Sequence, residues 1–296
     1  MTIKNESSNN AARVAHIVDL DTLLDHGEAL VDEIVSTSLT SSIFRQAFTT
    51  GLDDIASLLR SVPIFEGRLL ERGIALIARS NPDLVVLTDN LRLPVTKAAT
   101  ELVARNDEGR IAALSLDCDS GGRKSYTPDL LIVNRSSHVA HLIDIKRSLG
   151  SYEVSRIAEL KSRMLAAALV VPDLLYKEHR RLHVDEVRVV ILNAQNQRTD
   201  IEGGVWPLTQ LDHLLGVAGA GEVMMRLREL FRERVEENWS VARPPHSVDI
   251  RAVNPAAPAG RAGNVGPSAG DAHAGPERLR APVSIGFARL PKKPAG

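Results

Sequence analysis

The sequence predicts an α/β protein: a helix, a three-strand meander, a second helix and a return strand, with a helical section in front and further helices and a tail behind. Three observations carry this reading. Hydrophobic residues recur at helical spacing up to about Ala78 and then shift to short β-branched runs in the middle of the chain. A long amphipathic stretch, 151–171, is followed by the β-branched run Glu186 to Leu192. Beyond Arg243 the periodic pattern stops and Pro, Gly and Ala take over.

Taken in order, Ile17, Leu20, Leu23 and Leu24, then Leu30, Ile34 and Val35, lie at helical spacing and indicate two or three helices between Arg13 and Leu59. Pro63 is expected to break the pattern, which resumes from Phe65 to Ala78 with Leu69, Leu70, Ile74 and Ile77 on one side. Residues 1–80 thus read as an N-terminal helical subdomain without a catalytic motif. After Pro82, Leu84 to Leu87 is a short strand candidate, and Pro94 to Arg105 reads as a helix with proline in its first turn. Arg110 to Leu116, Tyr126 to Val133 and His138 to Lys146 are the three expected strands of an antiparallel meander. They are joined by the Gly-rich stretch 117–125 and by the turn Asn134 to Ser137. Ser151 to Val171 is a long helix, and Glu186 to Leu192 returns over it as a fourth strand, an arrangement that makes the flanking strands parallel. Leu208 to Val217 and Gly221 to Trp239 are C-terminal helices that complete a region 81–240. Residues 241–296 read as a disordered tail, poor in apolar residues. One island in it, Leu279 to Pro291, has Val283, Ile285, Phe287 and Leu290 between basic residues and suits docking on a protein partner.

Composition narrows the function. With 44% hydrophobic and 25% charged residues the chain suits a folded globular protein. A net charge of −1 leaves no overall basic coat, so contact with nucleic acid must come from a local patch. Aromatic residues make up 3%, too few for a base-stacking platform. No apolar run approaches the roughly 20 residues of a spanning helix, and Met1 to Asn10 is polar, so no membrane association and a cytoplasmic setting are expected. The single cysteine, Cys118, has no partner for an intrachain disulfide, and His138 and His141 lack the spacing of a zinc site. Phosphate-loop, dinucleotide-binding and nucleophile-elbow patterns are absent. Gly216 to Gly221 is glycine-rich but follows a helix rather than a strand.

The chemistry concentrates in two segments, Tyr126-Thr-Pro-Asp-Leu-Leu-Ile-Val133 and His141-Leu-Ile-Asp-Ile-Lys146. On a strand, residues two apart share a face, so Asp144 and Lys146 project together and Ile143 and Ile145 project oppositely. Asp129 belongs to the preceding strand, and the intervening residues 130–143 are enough for a hairpin that sets the two carboxylates side by side. Such a pair repels unless it shares a proton or a cation. Magnesium, with its preference for hard oxygen ligands and substrate phosphate, is the expected cation, with manganese as its substitute. Lys146 is then placed to orient a water or to stabilise developing negative charge.

Pro128-Asp129 on the second strand and Asp144-Ile145-Lys146 on the third, in this order of elements, resemble the PD-(D/E)xK nuclease superfamily over roughly Pro94 to Asn193. The resemblance implies a restriction-endonuclease-like core and a metal-dependent nuclease acting on DNA. It also implies Asp129, Asp144 and the main-chain carbonyl of Ile145 as metal ligands, Lys146 as a catalytic residue, and a glutamate on the helix before the meander. Glu101 takes that place in this reading, with Glu71 on an earlier helix as the alternative. Arg156 and Lys161, on the helix after the third strand, are expected to contact phosphates. A homodimer would supply two sites for the two strands of a duplex. A non-catalytic DNA-binding or scaffold protein that keeps the same core is the alternative function.

Overall fold

The computed structural model describes residues 18–88, 91–106, 114–119, 124–243 and 284–288. Three helices open the chain. The first, α1 (Leu20–Ser38), is capped by the Asp19 carboxylate, which accepts from the Asp21 and Thr22 N–H groups. The second, α2 (Ser41–Thr50), is capped by the Thr40 hydroxyl. The third, α3 (Leu52–Arg79), runs for 28 residues and continues through Pro63, contrary to the expected break. Losing one N–H and clashing with the preceding turn costs about 3 kcal/mol. Burial of Phe65, Leu69, Leu70, Ile74 and Ile77 in the second half of the helix offsets that cost, at roughly 1.5–3 kcal/mol per side chain.

The central sheet is mixed. Its strands are β1 (Leu84–Leu87), β4 (Leu130–Asn134), β5 (Val139–Lys146), β6 (Glu186–Asn193) and β7 (Val205–Pro207), in that spatial order, with β8 (Ser284–Phe287) also paired to β6. The pairs β1–β4 and β4–β5 are antiparallel, and β6 lies parallel to β5, β7 and β8. Between β1 and β4 the chain makes β2 (Leu93–Val95), the helix α4 (Lys97–Arg105) and β3 (Lys124–Tyr126), with β2 and β3 forming a separate antiparallel ribbon. The helices α5 (Val154–Ala168) and α6 (Val171–Glu178) connect β5 to β6. A short helix, α7 (Leu211–Leu215), and a long one, α8 (Ala220–Ala242), follow β7.

Alternation along the strands builds two apolar layers. Leu130, Ile132, Ile143, Ile145, Val190 and Leu192 face α3 and share one core with α1 and α8. Leu131, Val133, Ala140, Leu142, Val189 and Ile191 face α5 and α6 and form the second core. The long α8 closes over the N-terminal helices, where Trp239 packs edge-on against Phe44 and Phe48 with ring centroids 5.5 and 4.7 Å apart. No helix among the described residues is long and apolar enough to cross a membrane.

Several elements depart from the sequence reading. The antiparallel partner of β4 is β1, in the register Leu84↔Asn134 to Leu87↔Leu131, and not the run Arg110 to Leu116. Residues 110–113 lie outside the described residues, while 114–117 is irregular and the Leu116 N–H donates to Leu169 O. The helix expected from Pro94 starts instead at Lys97, because Thr96 caps it by accepting from the Ala99 N–H, and Pro94 lies in β2. The expected strand Tyr126 to Val133 divides into β3 and β4 around Pro128, which has no N–H to give to a ladder.

The tail is also corrected in part. Ser284–Phe287 is a strand rather than disordered chain, and the surface it meets is the chain's own β6. Ile285 and Ala288 are buried, and Trp206 Nε1 donates to Ala288 O at 2.9 Å. An unpaired stretch of β6 next to β7 supplies the hydrogen-bonding edge that this apolar segment fills.

Candidate active site

The end of the β4–β5 hairpin places the two aspartates. The ladder runs to Leu130↔Ile143, so the next step in register sets Asp129 across from Asp144. Asp129 precedes β4 immediately, and its Oδ2 accepts the Ile145 N–H at 2.5 Å. The carboxylate of one motif segment is thereby tied to the backbone of the other. On β5, Ile143 and Ile145 turn toward α3, which leaves Asp144 and Lys146 on the opposite face.

Asp144 is 5% exposed. Its Oδ2 accepts the Tyr126 hydroxyl at 2.8 Å, and the Lys146 ammonium forms an ion pair with Oδ1. That ion pair does not give Oδ1 a partner of hydrogen-bond geometry among the described residues, although the atom is buried. A buried carboxylate needs a counter-charge, and here Lys146 supplies it.

The surrounding titratable groups respond to one another. Burial and the neighbouring Asp144 charge raise the Asp129 carboxyl above the ordinary range, against the pull of the Ile145 N–H and Lys146. Burial disfavours the charge on Lys146, but Asp144 and Asp129 outweigh it and the ammonium is held above its ordinary value. Burial and Asp144 push the Tyr126 phenol upward, so it stays a donor. Glu71, half-buried on α3, is raised by burial and by Asp129, with Lys146 acting in the opposite direction and Asp144 in the same one.

The structure therefore brings together Asp129, Asp144 and Lys146, and Glu71 on α3 lies within electrostatic reach of them. It does not bring Glu101, which is exposed on α4 between Lys97 at 3.7 Å and Arg105 at 3.9 Å. The helix that precedes β1 and packs on the sheet is α3, which carries Glu71. Lys161 is likewise committed elsewhere: its ammonium lies 3.4 Å from Asp200 and 5.2 Å from the centre of the Phe287 ring, helping to hold β8. The α5 cation that the site feels is Arg163, through Tyr126. Arg156 is exposed and makes no ion pair among the described residues. Tyr126 was not singled out by sequence, since a tyrosine two residues before Pro128 carries no motif signal.

No family model, curated protein or solved structure matches the chain.

The donors fit a hard divalent cation. Asp129 and Asp144 supply carboxylate oxygens at adjacent cross-strand positions, and the Glu71 carboxylate on α3 lies within their electrostatic field. A second group with ligand-like atoms, Asp117, Cys118 and Asp119, lies elsewhere and is exposed at the two aspartates. There the Lys177 ammonium already sits 2.8 Å from Asp117, 2.7 Å from Asp119 and 3.0 Å from Asp173. Burial and Asp173 push the Cys118 thiol up to about 11, so it is protonated and a poor ligand near neutrality. We take this group as an ion-paired link between a loop and α6.

Proposed function

We propose that the chain is a metal-dependent nuclease that hydrolyses DNA phosphodiester bonds, built on a restriction-endonuclease-like core. The observation that carries this reading is the meeting of Asp129, Asp144 and Lys146 at the end of one hairpin, with Glu71 of α3 in electrostatic reach, where burial first and mutual repulsion second raise the Asp129 and Glu71 carboxyls. The element order α3, β1, β4, β5, α5, β6, with an antiparallel meander and a parallel fourth strand, supports the finer fold assignment.

In this reading Asp129 and Asp144 hold magnesium or manganese, the carbonyl of Ile145 adds a ligand, and Glu71 acts from α3. The bound cation would supply a polarised phosphate and a more acidic water. Tyr126 fixes the orientation of the Asp144 carboxylate through Oδ2, and Lys146 holds Oδ1, which it would share with a bound cation. Lys146, charged and 24% exposed, is placed to donate to a phosphoryl oxygen or to orient the attacking water.

A non-catalytic nucleic-acid-binding scaffold is the second reading. The Tyr126 and Lys146 contacts favour it, because together they could close Asp144 as an inert ion pair. Incubation of plasmid, linear duplex and single-stranded DNA with magnesium, manganese or chelator separates the two. Cleavage that needs the metal supports the nuclease, and binding without cleavage in every metal supports the scaffold.

A further inference from the structure

A cleft of about 580 Å³ lies at the other end of the central hairpin. His138, which borders it, is eight residues before Lys146 along an extended strand, so the cleft is roughly 26 Å from the candidate active site. Its apolar side is formed by Val85 and Leu87 of β1, the edge strand of the sheet. Arg135 and His138 come from the β4–β5 turn, and Arg180, Arg181 and His183 come from the turn after α6.

Basic side chains dominate the polar lining of this cleft. Three arginines, Arg135, Arg180 and Arg181, line it with one acidic residue, Glu178, and none of the three makes an ion pair among the described residues. The neighbouring Asp185 is engaged by His183 at 2.9 Å. Three cationic side chains with a single carboxylate leave a positive excess, which a bound anion would offset.

The cleft also offers a surface for a flat ring. The His138 and His183 rings lie 5.4 Å apart between centroids, tilted by 60°, near the apolar side chains of β1. Imidazole and aliphatic side chains against a base, with guanidinium groups on the attached phosphates, are the two halves of nucleotide recognition. The volume falls within the range of roughly 300–1,000 Å³ usual for small-molecule sites.

We propose that this cleft binds a nucleoside phosphate, taken either as a free nucleotide or as one unit of a nucleic-acid strand. The site is separate from the proposed nuclease centre and is tested without any cleavage. In chelator, a fluorescent N-methylanthraniloyl derivative of ATP is titrated into the full chain, then competed with ATP, inorganic tripolyphosphate and a 12-nucleotide single strand. The expected result is saturable binding that ATP displaces at least fivefold better than tripolyphosphate. The Arg180→Glu/Arg181→Glu variant should bind at least tenfold more weakly at an unchanged melting temperature. Competition by the single strand identifies a strand as the natural source, and lack of it identifies a free nucleotide. If the double variant melts early, Arg135→Glu, on a different turn, carries the same test. Equal displacement by ATP and tripolyphosphate overturns base recognition, and undiminished binding by folded charge-reversal variants overturns the site.

Discussion

The Asp129 carboxylate accepts the main-chain N–H of Ile145, the residue between Asp144 and Lys146. This single bond joins the two motif segments at the point where the β4–β5 ladder ends, and it holds Asp129 beside Asp144 in spite of their like charge. The consequences can be tested one group at a time.

Tyr126 and Lys146 should separate orientation from chemistry. Tyr126→Phe removes the donor to Asp144 Oδ2 and is expected to raise the magnesium concentration needed for half-maximal cleavage, by roughly 10-fold on the scale of outer hydrogen-bond partners. Lys146→Ala is expected to lower the maximal rate while leaving metal binding in place, because its ammonium acts on the water or the phosphate. Rates measured across a magnesium titration decide both. A lost metal dependence in Lys146→Ala, or an unshifted curve in Tyr126→Phe, would remove those roles.

Glu71 and Glu101 make opposite predictions. Glu71→Gln should shift the metal dependence to the right, by roughly 10–100-fold, since Glu71 shares its field with both aspartates. Glu101→Gln should leave cleavage unchanged and remove only two exposed ion pairs, worth about 0–1 kcal/mol each. A defect confined to Glu101→Gln would return the role to α4.

His141 should make the fold acid-sensitive. Burial, with a smaller effect from Arg188, lowers its imidazole to about 3 in the folded chain, whereas the unfolded chain takes up the proton near 6.5. Between these values the unfolded state binds the extra proton, so stability is full above about pH 6.5 and falls as the pH drops toward 3. The expected slope is up to about 1.4 kcal/mol per pH unit from this group. Denaturant unfolding at several pH values should show a shallower decline for His141→Gln, and an identical decline would assign the acid sensitivity elsewhere.

The C-terminal strand should contribute stability. Truncation after Arg243 uncovers the β6 edge and removes Ile285, which is 1% exposed. The melting temperature is expected to fall by several degrees, at roughly 2–4 °C per kcal/mol for a domain of this size. Ile285→Ala should reproduce much of that fall. An unchanged melting temperature in both would show that β8 adds nothing to the fold.

The parts that were legible in the sequence are those governed by strict alternation. Asp144-Ile145-Lys146 sits on a strand whose odd and even residues serve two different cores, and that pattern can be read without coordinates. Pro128-Asp129 was equally visible, since proline ends a ladder and leaves the next residue at the strand's start. Glu101 lies apart from the aspartates for a physical reason. The ribbon β2–β3 and the helix α4 are inserted between the first two strands of the meander, so the nearest preceding helix in sequence is not the one packed on the sheet. Leu84 to Leu87 is only four residues long, and its pairing with β4 is a long-range choice that local pattern does not reveal. The strand at Ser284 was hidden similarly, because its partner edge lies almost a hundred positions earlier.

The most direct measurement is the rate of plasmid cleavage by the wild-type chain and by Asp144→Asn, each with magnesium and with chelator, beside melting curves for both. Asp144→Asn keeps the volume of the side chain and removes one charge from the group formed with Asp129 and Glu71. The proposed mechanism predicts cleavage by wild type in magnesium, none in chelator, and a loss in Asp144→Asn greater than the roughly 10–100-fold typical of an outer partner. Equal cleavage by a folded Asp144→Asn, or wild-type cleavage that persists in chelator, would contradict it.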